Sequence, residues 1–377
     1  MEAVDFVMKK IKILQFPIAN SKGGITHYAL ENWRWMDKSR FHCDFATMSK
    51  HLDFEDEIRA TGSNIFYISC YAEENKERFT DEFRKILAEG NYDVVHLHTK
   101  QWKSFLVEEI CKEYCVSKII VHSHNTEIDV LNPLKREKER LLHEQIKRQF
   151  KENIATDFWA CSDAAADFLF GEQISKQKIK IMPNAIDIDK FAYNPETRKR
   201  YREKYGLQDC FVIGHAGRFA YQKNHEFLVN TFAEVSKKIK NARLVLLGDG
   251  ELFSEVQNQV KKLNLENRVL FLGKRDDIAG WYQAMDVFCL PSRFEGLGIV
   301  LIEAQTSGLK CITSMEVPDE THITENIIYL PLKQSRWVEE IVNCKNGSSR
   351  MNMKEQIHAA GYDISAVIKD MERLYES

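Results

Sequence analysis

Two stretches of this 377-residue chain each repeat one pattern: a short apolar run, a turn, then a helical segment. In the first stretch Ile11–Phe16, Cys43–Met48, Asn64–Cys70, Tyr92–Thr99, Lys118–His124, Asp157–Ser162 and Lys178–Met182 read as strands. Helical patterns such as Lys76–Glu89, Trp102–Cys115 and Leu134–Lys151 lie between them. The second stretch restarts at Phe211 and continues through Leu244–Gly248, Val269–Gly273, Val287–Leu290 and Cys311–Thr313, with a helix over Asn224–Lys237. Strands separated by helices imply parallel sheets covered on both faces. The expected fold is therefore α/β, with two Rossmann-like, doubly wound domains. The polar stretch Asn194–Gly206 separates them. The expected division is 1–190, 191–360 and a terminal helical segment, 361–377. In such sheets ligands bind beyond the carboxyl ends of the strands, so the residues just after each strand are the ones to read for chemistry.

Composition narrows the classes further. An apolar content of 44% suffices for two ordinary cores. A net charge of −3 and a pI near 6.5 argue against a general nucleic-acid binder. Nine cysteines, several in strand-like runs (Cys43, Cys161, Cys289, Cys311), favour buried reduced thiols over a disulfide framework, and hence a cytoplasmic protein. Cys111 and Cys115 are helix-spaced with no second pair nearby, half a zinc site at most. No apolar run reaches the length of a membrane-spanning helix. Met1–Val7 lacks a signal-peptide pattern, and Met8-Lys-Lys-Ile reads as a natural start, which would make the first seven residues an extension.

The densest signal runs from Asp286 to Leu309. A buried strand ends at Pro291-Ser292, Gly296 and Gly298 loosen the next turn, and a helix opens at Ile299 and stops at Gly308. Glu295 and Glu303 thus bracket a glycine-containing loop and a helix start. Unpaired helix amides hold a diphosphate, and a carboxylate accepts from two hydroxyls of a ribose or hexose. After the strand at Phe211, Gly217-Arg218-x4-Lys223-Asn224 sets two cations around a strand-to-helix turn, where a diphosphate needs neutralising charge. In the first half Gly23-Gly24 follows the first strand. The fingerprint G-x-G-x-x-G is absent, which disfavours a nicotinamide dehydrogenase.

Two strands end in paired histidines, His96-Leu-His98 and His122-Ser-His124, and period-2 spacing puts each pair on one face. One reading is a zinc site, although no acidic cluster completes it. Another is polar filling at strand ends. The helix Leu134–Lys151 carries seven cations against three glutamates, a balance of +4. It reads as a solvated face, or as a patch that associates peripherally with an anionic membrane.

The Glu295-x7-Glu303 arrangement, followed by Ala-Gln-Thr-Ser-Gly-Leu, resembles the retaining GT-B glycosyltransferases of the family-4 type (group 1), and within them the bacterial capsular and exopolysaccharide branch. The resemblance covers nearly the whole chain. It implies two domains facing a cleft and transfer of a hexose from a nucleoside-diphosphate sugar, UDP-linked by preference, to a hydroxyl of a glycan or lipid-linked acceptor. It further implies a front-face, metal-independent mechanism with no cofactor and no metal ligands. By that resemblance His124 contacts the transferred sugar and Glu295 orients it. Arg218 and Lys223 grip the diphosphate with the backbone from Gly296 through Leu297, Gly298, Ile299 and Val300. Glu303 holds the ribose, Arg275 lies near the nucleobase, and Gly23 and Gly24 sit against the donor diphosphate or the acceptor. Asp187-x-Asp189 falls in a hinge-like run, so these aspartates are read as turn and capping residues instead of metal ligands. Lys310 stands where the family commonly has proline. Rival readings on the same fold are a sugar-nucleotide epimerase or hydrolase, and a non-catalytic sugar-nucleotide-binding subunit.

Overall fold

The computed structural model describes residues 9–20, 24–345 and 350–377. The chain divides into two compact units. The first comprises residues up to Asn125, Lys138–Pro183 and Ile364–Ser377; the second comprises Thr126–Glu137 and Asn184–Asp363.

The first unit is built on seven strands: β1 (Ile11–Ile18), β2 (Phe41–Thr47), β3 (Ile65–Tyr67), β4 (Val94–Thr99), β5 (Lys118–Ser123), β6 (Asp157–Ala160) and β7 (Ile179–Ile181). They lie in the order β3-β2-β1-β4-β5-β6-β7, every pair parallel. The second unit has β8 (Phe211–Ala216), β9 (Ala242–Leu247), β10 (Val269–Gly273), β11 (Val287–Leu290), β12 (Lys310–Ser314) and β13 (Ile327–Leu330), in the order β10-β9-β8-β11-β12-β13, again parallel. All residues of β8 and β11 are buried, which is why neither sequence alternates apolar with exposed polar positions.

The cores follow from those patterns. In the first unit Trp33, Phe45 and Trp159 pack with Ile368, Met371 and Tyr375 of the terminal helix Ile364–Glu376. Burying an isoleucine or methionine side chain contributes about 1.5–3 kcal/mol. In the second, Phe232, Leu244 and Leu246 pack with Trp337 and Ile341.

Several boundaries differ from those read in the sequence. The units part at Pro183/Asn184 and not at 190/191, because Ile186 bridges Asp363 and its amide donates to the Tyr362 carbonyl at 2.9 Å. The short segment Thr126–Glu137 groups with the second unit, and the terminal segment with the first begins at Ile364. The helix expected from Trp102 begins at Leu106, since Trp102 is buried and donates its ring N–H to the Leu169 carbonyl at 2.7 Å. The basic helix spans Pro133–Lys147 and stops short of Lys151, with Phe150 turned into the core. Strand β13 and the helix Lys354–Ala359 were not foreseen. No disulfide joins the cysteines.

Candidate donor-binding site

In the second sheet the strand order reverses between β8 and β11, so the loops leaving their carboxyl ends flank a topological switch point. The loop after β8 carries Arg218, Gln222 and Lys223; the loop after β11 carries Ser292, Glu295 and Gly298. They meet on one carboxylate. Lys223 Nζ lies 2.6 Å from Glu295 Oε1, Ser292 Oγ donates to the same oxygen at 2.6 Å, and Gln222 Nε2 donates to Oε2 at 3.2 Å. Glu295 is 5% exposed. Such a pair holds only because further donors satisfy the buried carboxylate. The aliphatic stem of Lys223 crosses Gly217, where a Cβ would come within 3.1 Å of it. Glycine at 217 is what lets the lysine lie flat.

Segment Thr126–Glu137 closes over the same loops. Asp129 forms an ion pair with Arg218 and accepts the Gln222 amide at 3.3 Å. Thr126 Oγ1 donates to the Glu295 carbonyl at 2.8 Å. The Tyr221 ring is flanked by the guanidinium groups of Arg136 and Arg293, at 4.1 and 4.5 Å from its centroid. Both expected phosphate-gripping cations are thus already opposite carboxylates.

Beyond Glu295 the chain turns through Gly296 and the buried Leu297 to Gly298, whose φ of +93° belongs to the left-handed region. Helix Ile299–Thr306 starts there with no side-chain cap and no acid in its first turn, so the positive end of its dipole near Ile299 and Val300 is not offset by a capping side chain or a first-turn carboxylate. Glu303 follows in the next turn, 4% exposed, and accepts from the Tyr282 hydroxyl at 2.8 Å. Burial, and then the Glu303 charge, holds that hydroxyl well above the usual phenol range, so it remains the donor. Arg275 forks onto Asp277 at 2.7 and 2.8 Å, so its side chain is committed locally. Asp187 caps the turn Ile188–Phe191, accepting from the amides of Asp189 and Lys190, and Asp189 pairs with Lys354.

His124 and Gly24 belong to the first unit. Gly24 opens the helix Gly24–Trp35 with nothing within 4 Å of a Cβ placed there; Gly23 lies outside the described residues. Strands β4 and β5 are neighbours just beyond the β1/β4 reversal of that sheet, and His98 stands opposite His122 in register. The four imidazoles form two bonded pairs: His96 Nε2 to His122 Nδ1 and His98 Nδ1 to His124 Nε2, each at 3.0 Å. The Tyr28 ring stands edge-on to His122 and His124, centroids 5.0 and 5.2 Å away. Burial, before any neighbouring charge, holds all four well below the ordinary histidine range, His98 at about 3. Ring nitrogens of His96, His98 and His122 lie within 4.8 Å of one another, close enough for one metal ion. Both nitrogens of His96 and of His98 are engaged in hydrogen bonds, so coordination would have to break them.

Comparison with known proteins fits this frame. Residues 22–190 match the model for Glycosyltransferase Family 4, and residues 197–326 match that for Glycosyl transferases group 1. The glycosyltransferase-named protein EpsF of Bacillus subtilis is 30% identical over 373 residues, 97% of this chain and 96% of its own. This chain belongs to the group 1 glycosyltransferases of the family-4 type. An Escherichia coli UDP-Gal:alpha-D-GlcNAc-diphosphoundecaprenol alpha-1,3-galactosyltransferase is 28% identical to this glycosyltransferase over 81% of the chain and 79% of its own length. Among solved structures, Anabaena HepE in complex with UDP and glucose superposes with a TM-score of 0.78 at 19% identity, covering 98% of this chain and all of that one. WaaG superposes at 0.74 with 19% identity over 97% and 99%. At that identity the superpositions show the GT-B fold.

The sequence alone missed several partners in this glycosyltransferase. Gln222 and Ser292 sit beside motif residues and could have been read as second donors to Glu295. Tyr282 was hidden in the helix Ile278–Ala284, which has no clear polar face. Asp129 is 89 residues from Arg218 and carries no local signal. Gln15, inside β1, looked like an ordinary strand residue.

Proposed function

We propose that this glycosyltransferase moves a hexose from a nucleoside-diphosphate sugar, a UDP-sugar by preference, to a hydroxyl of a glycan or lipid-linked acceptor during assembly of a surface polysaccharide, with retention at the anomeric carbon. The observation that carries the reading is the Lys223–Glu295 pair, held by Ser292 and Gln222 at the switch point beside the uncapped helix start. A diphosphate arriving there shares Lys223 with Glu295 and takes the amides of 297–300. Glu295 then offers its other oxygen to sugar hydroxyls, and Glu303 accepts from the ribose. The bond from the anomeric carbon to the diphosphate oxygen breaks, and the acceptor oxygen bonds that carbon on the same face. Its proton passes to the departing phosphate. Preorganised donors of this kind are commonly worth about 3 kcal/mol each. His124 contacts the transferred sugar.

The names of the E. coli galactosyltransferase and of HepE with UDP and glucose support the donor class. Association with an anionic membrane is supported by the helix Pro133–Lys147, where Leu134 is 85% and Leu141 59% exposed among basic residues. Among the described residues no helix is long and apolar enough to cross a membrane.

Thermal shift across UDP, GDP and ADP sugars, then turnover with a glycan acceptor followed by proton NMR, tests the reading. UDP protection, an acceptor-dependent product of retained configuration, and turnover unaffected by EDTA are expected. No protection by UDP or GDP would overturn it, as would product forming equally without acceptor. A manganese-reversible loss in EDTA would return attention to Asp187 and Asp189.

A further inference from the structure

The histidine cluster is wired to a single amide. Gln15 in β1 is 2% exposed and uses both ends of its side chain. Its Oε1 lies 2.7 Å from His98 Nε2, and its Nε2 donates to the Tyr375 hydroxyl at 3.2 Å. An amide oxygen only accepts, so His98 must carry its proton on Nε2. A neutral imidazole has one N–H, which leaves His98 Nδ1 bare, and the atom facing it at 3.0 Å is His124 Nε2. His124 therefore donates from Nε2, and its Nδ1 is a bare acceptor. That nitrogen is buried without a hydrogen-bond partner among the described residues.

The second branch follows in the same way. The Tyr375 oxygen accepts from Gln15 and spends its own proton on His96 Nδ1 at 2.7 Å. His96 then donates from Nε2 to His122 Nδ1 at 3.0 Å, and His122 Nε2–H is left unpartnered among the described residues. Burial keeps every ring in this cluster neutral, so neither branch can be shortcut by a doubly protonated histidine.

We propose that Gln15 is a positioning residue for the transferase reaction: its amide fixes the tautomers of both histidine pairs, so that His124 presents a bare Nδ1 to a hydroxyl of the transferred sugar. This rests on the proposed contact between His124 and that sugar. A bare nitrogen selects a group that can donate, so a sugar hydroxyl is accepted at this point and its fluoro or methoxy replacement, which cannot donate, is refused. An unsatisfied buried acceptor carries a penalty that only a donating partner removes. Tyr375 is the relay on the other branch and brings the terminal helix into the same network.

The two amide orientations predict opposite patterns. With the oxygen toward His98, all four rings are Nε2–H tautomers; with the amide reversed, all four become Nδ1–H. Nitrogen-15 NMR of histidine-labelled protein without donor reads this directly. Four Nε2–H rings are expected, and an Nδ1–H tautomer at His98 or His124 overturns the proposal. In Gln15→Met, of similar volume but unable to bond either branch, the His124 ring should lose its single tautomer. Turnover should fall about tenfold, with KM for a UDP-sugar within about twofold. Unchanged tautomers and unchanged turnover in that variant also overturn it. Adding UDP-sugar, compared with UDP alone, separates the two ideas: a sugar-dependent shift at His124 Nδ1 supports both. Its absence, with the four tautomers as expected, would remove the His124–sugar contact, and with it this assignment of Gln15 to the reaction, while leaving the donor site untouched.

Discussion

Lys223 meets Glu295 before it meets any phosphate, and this shapes what its removal does. Lys223→Met leaves Ser292 and Gln222 still donating to the carboxylate, so the fold should survive. Turnover should drop about 100-fold, since one preorganised charge is commonly worth about 3 kcal/mol in the transition state. Steady-state kinetics beside a circular-dichroism melt checks both halves. Tyr282 makes a different prediction. Its hydroxyl holds Glu303, the residue proposed to take the ribose, remote from the reacting carbon, so Tyr282→Phe should raise KM for the nucleotide sugar several-fold and leave kcat nearly unchanged. A fall in kcat with constant KM would mean that Glu303 acts in the chemistry. At this scale the sequence exposed the charges but not their company. Arg218, Lys223, Glu295 and Glu303 stand in short motifs, whereas Asp129, Gln15 and Tyr375 reach their partners only through the folded chain.

The helix Ile299–Thr306 owes its entry to one backbone angle. At Gly298 a side chain would be strained by φ +93° and its Cβ would stand 3.3 Å from Val317. Gly298→Ala should therefore destabilise the second unit by about 1–2 kcal/mol and displace the helix start, weakening donor binding. Urea unfolding and UDP titration measure the two effects. Elements of this kind were largely legible: the buried parallel strand β11 is a continuous apolar run, β8 is one broken only by Gly214 and His215, and proline and glycine punctuate them. The exceptions have physical causes. Strand β13 is only four residues long and runs straight into Pro331, and the stretch before Leu106 looks helical although Trp102 is drawn into the core.

Across the whole molecule, the buried histidines set the acid limit. His96, His98, His122 and His124 have folded-state pKa values below the unfolded value of about 6.5, as do His215, at about 4, and His225. Their contribution to stability is complete above pH ~6.5. As pH falls from there the unfolded chain binds protons that the folded one refuses, and stability is lost at up to about 1.4 kcal/mol per pH unit for each group. Glu108 opposes this: burial pushes its pKa up to about 7, so its own cost shrinks as pH falls from 7 towards 4.5. Six groups outweigh one, and the urea midpoint should be clearly lower at pH 5.5 than at pH 7.5. An equal midpoint would mean the cluster opens to solvent. The division into units was only partly readable, because Thr126–Glu137 and the terminal helix belong with chain far from them in sequence. The terminal helix has one more consequence. Ile368, Met371 and Tyr375 follow the whole of the second unit in the chain, yet they fill the core of the first. That unit must wait, with an apolar floor uncovered, while the second is made and folds, so nascent chains arrested at Asp363 should remain protease-sensitive over β1 to β5 and gain protection only once Ile364–Glu376 has emerged.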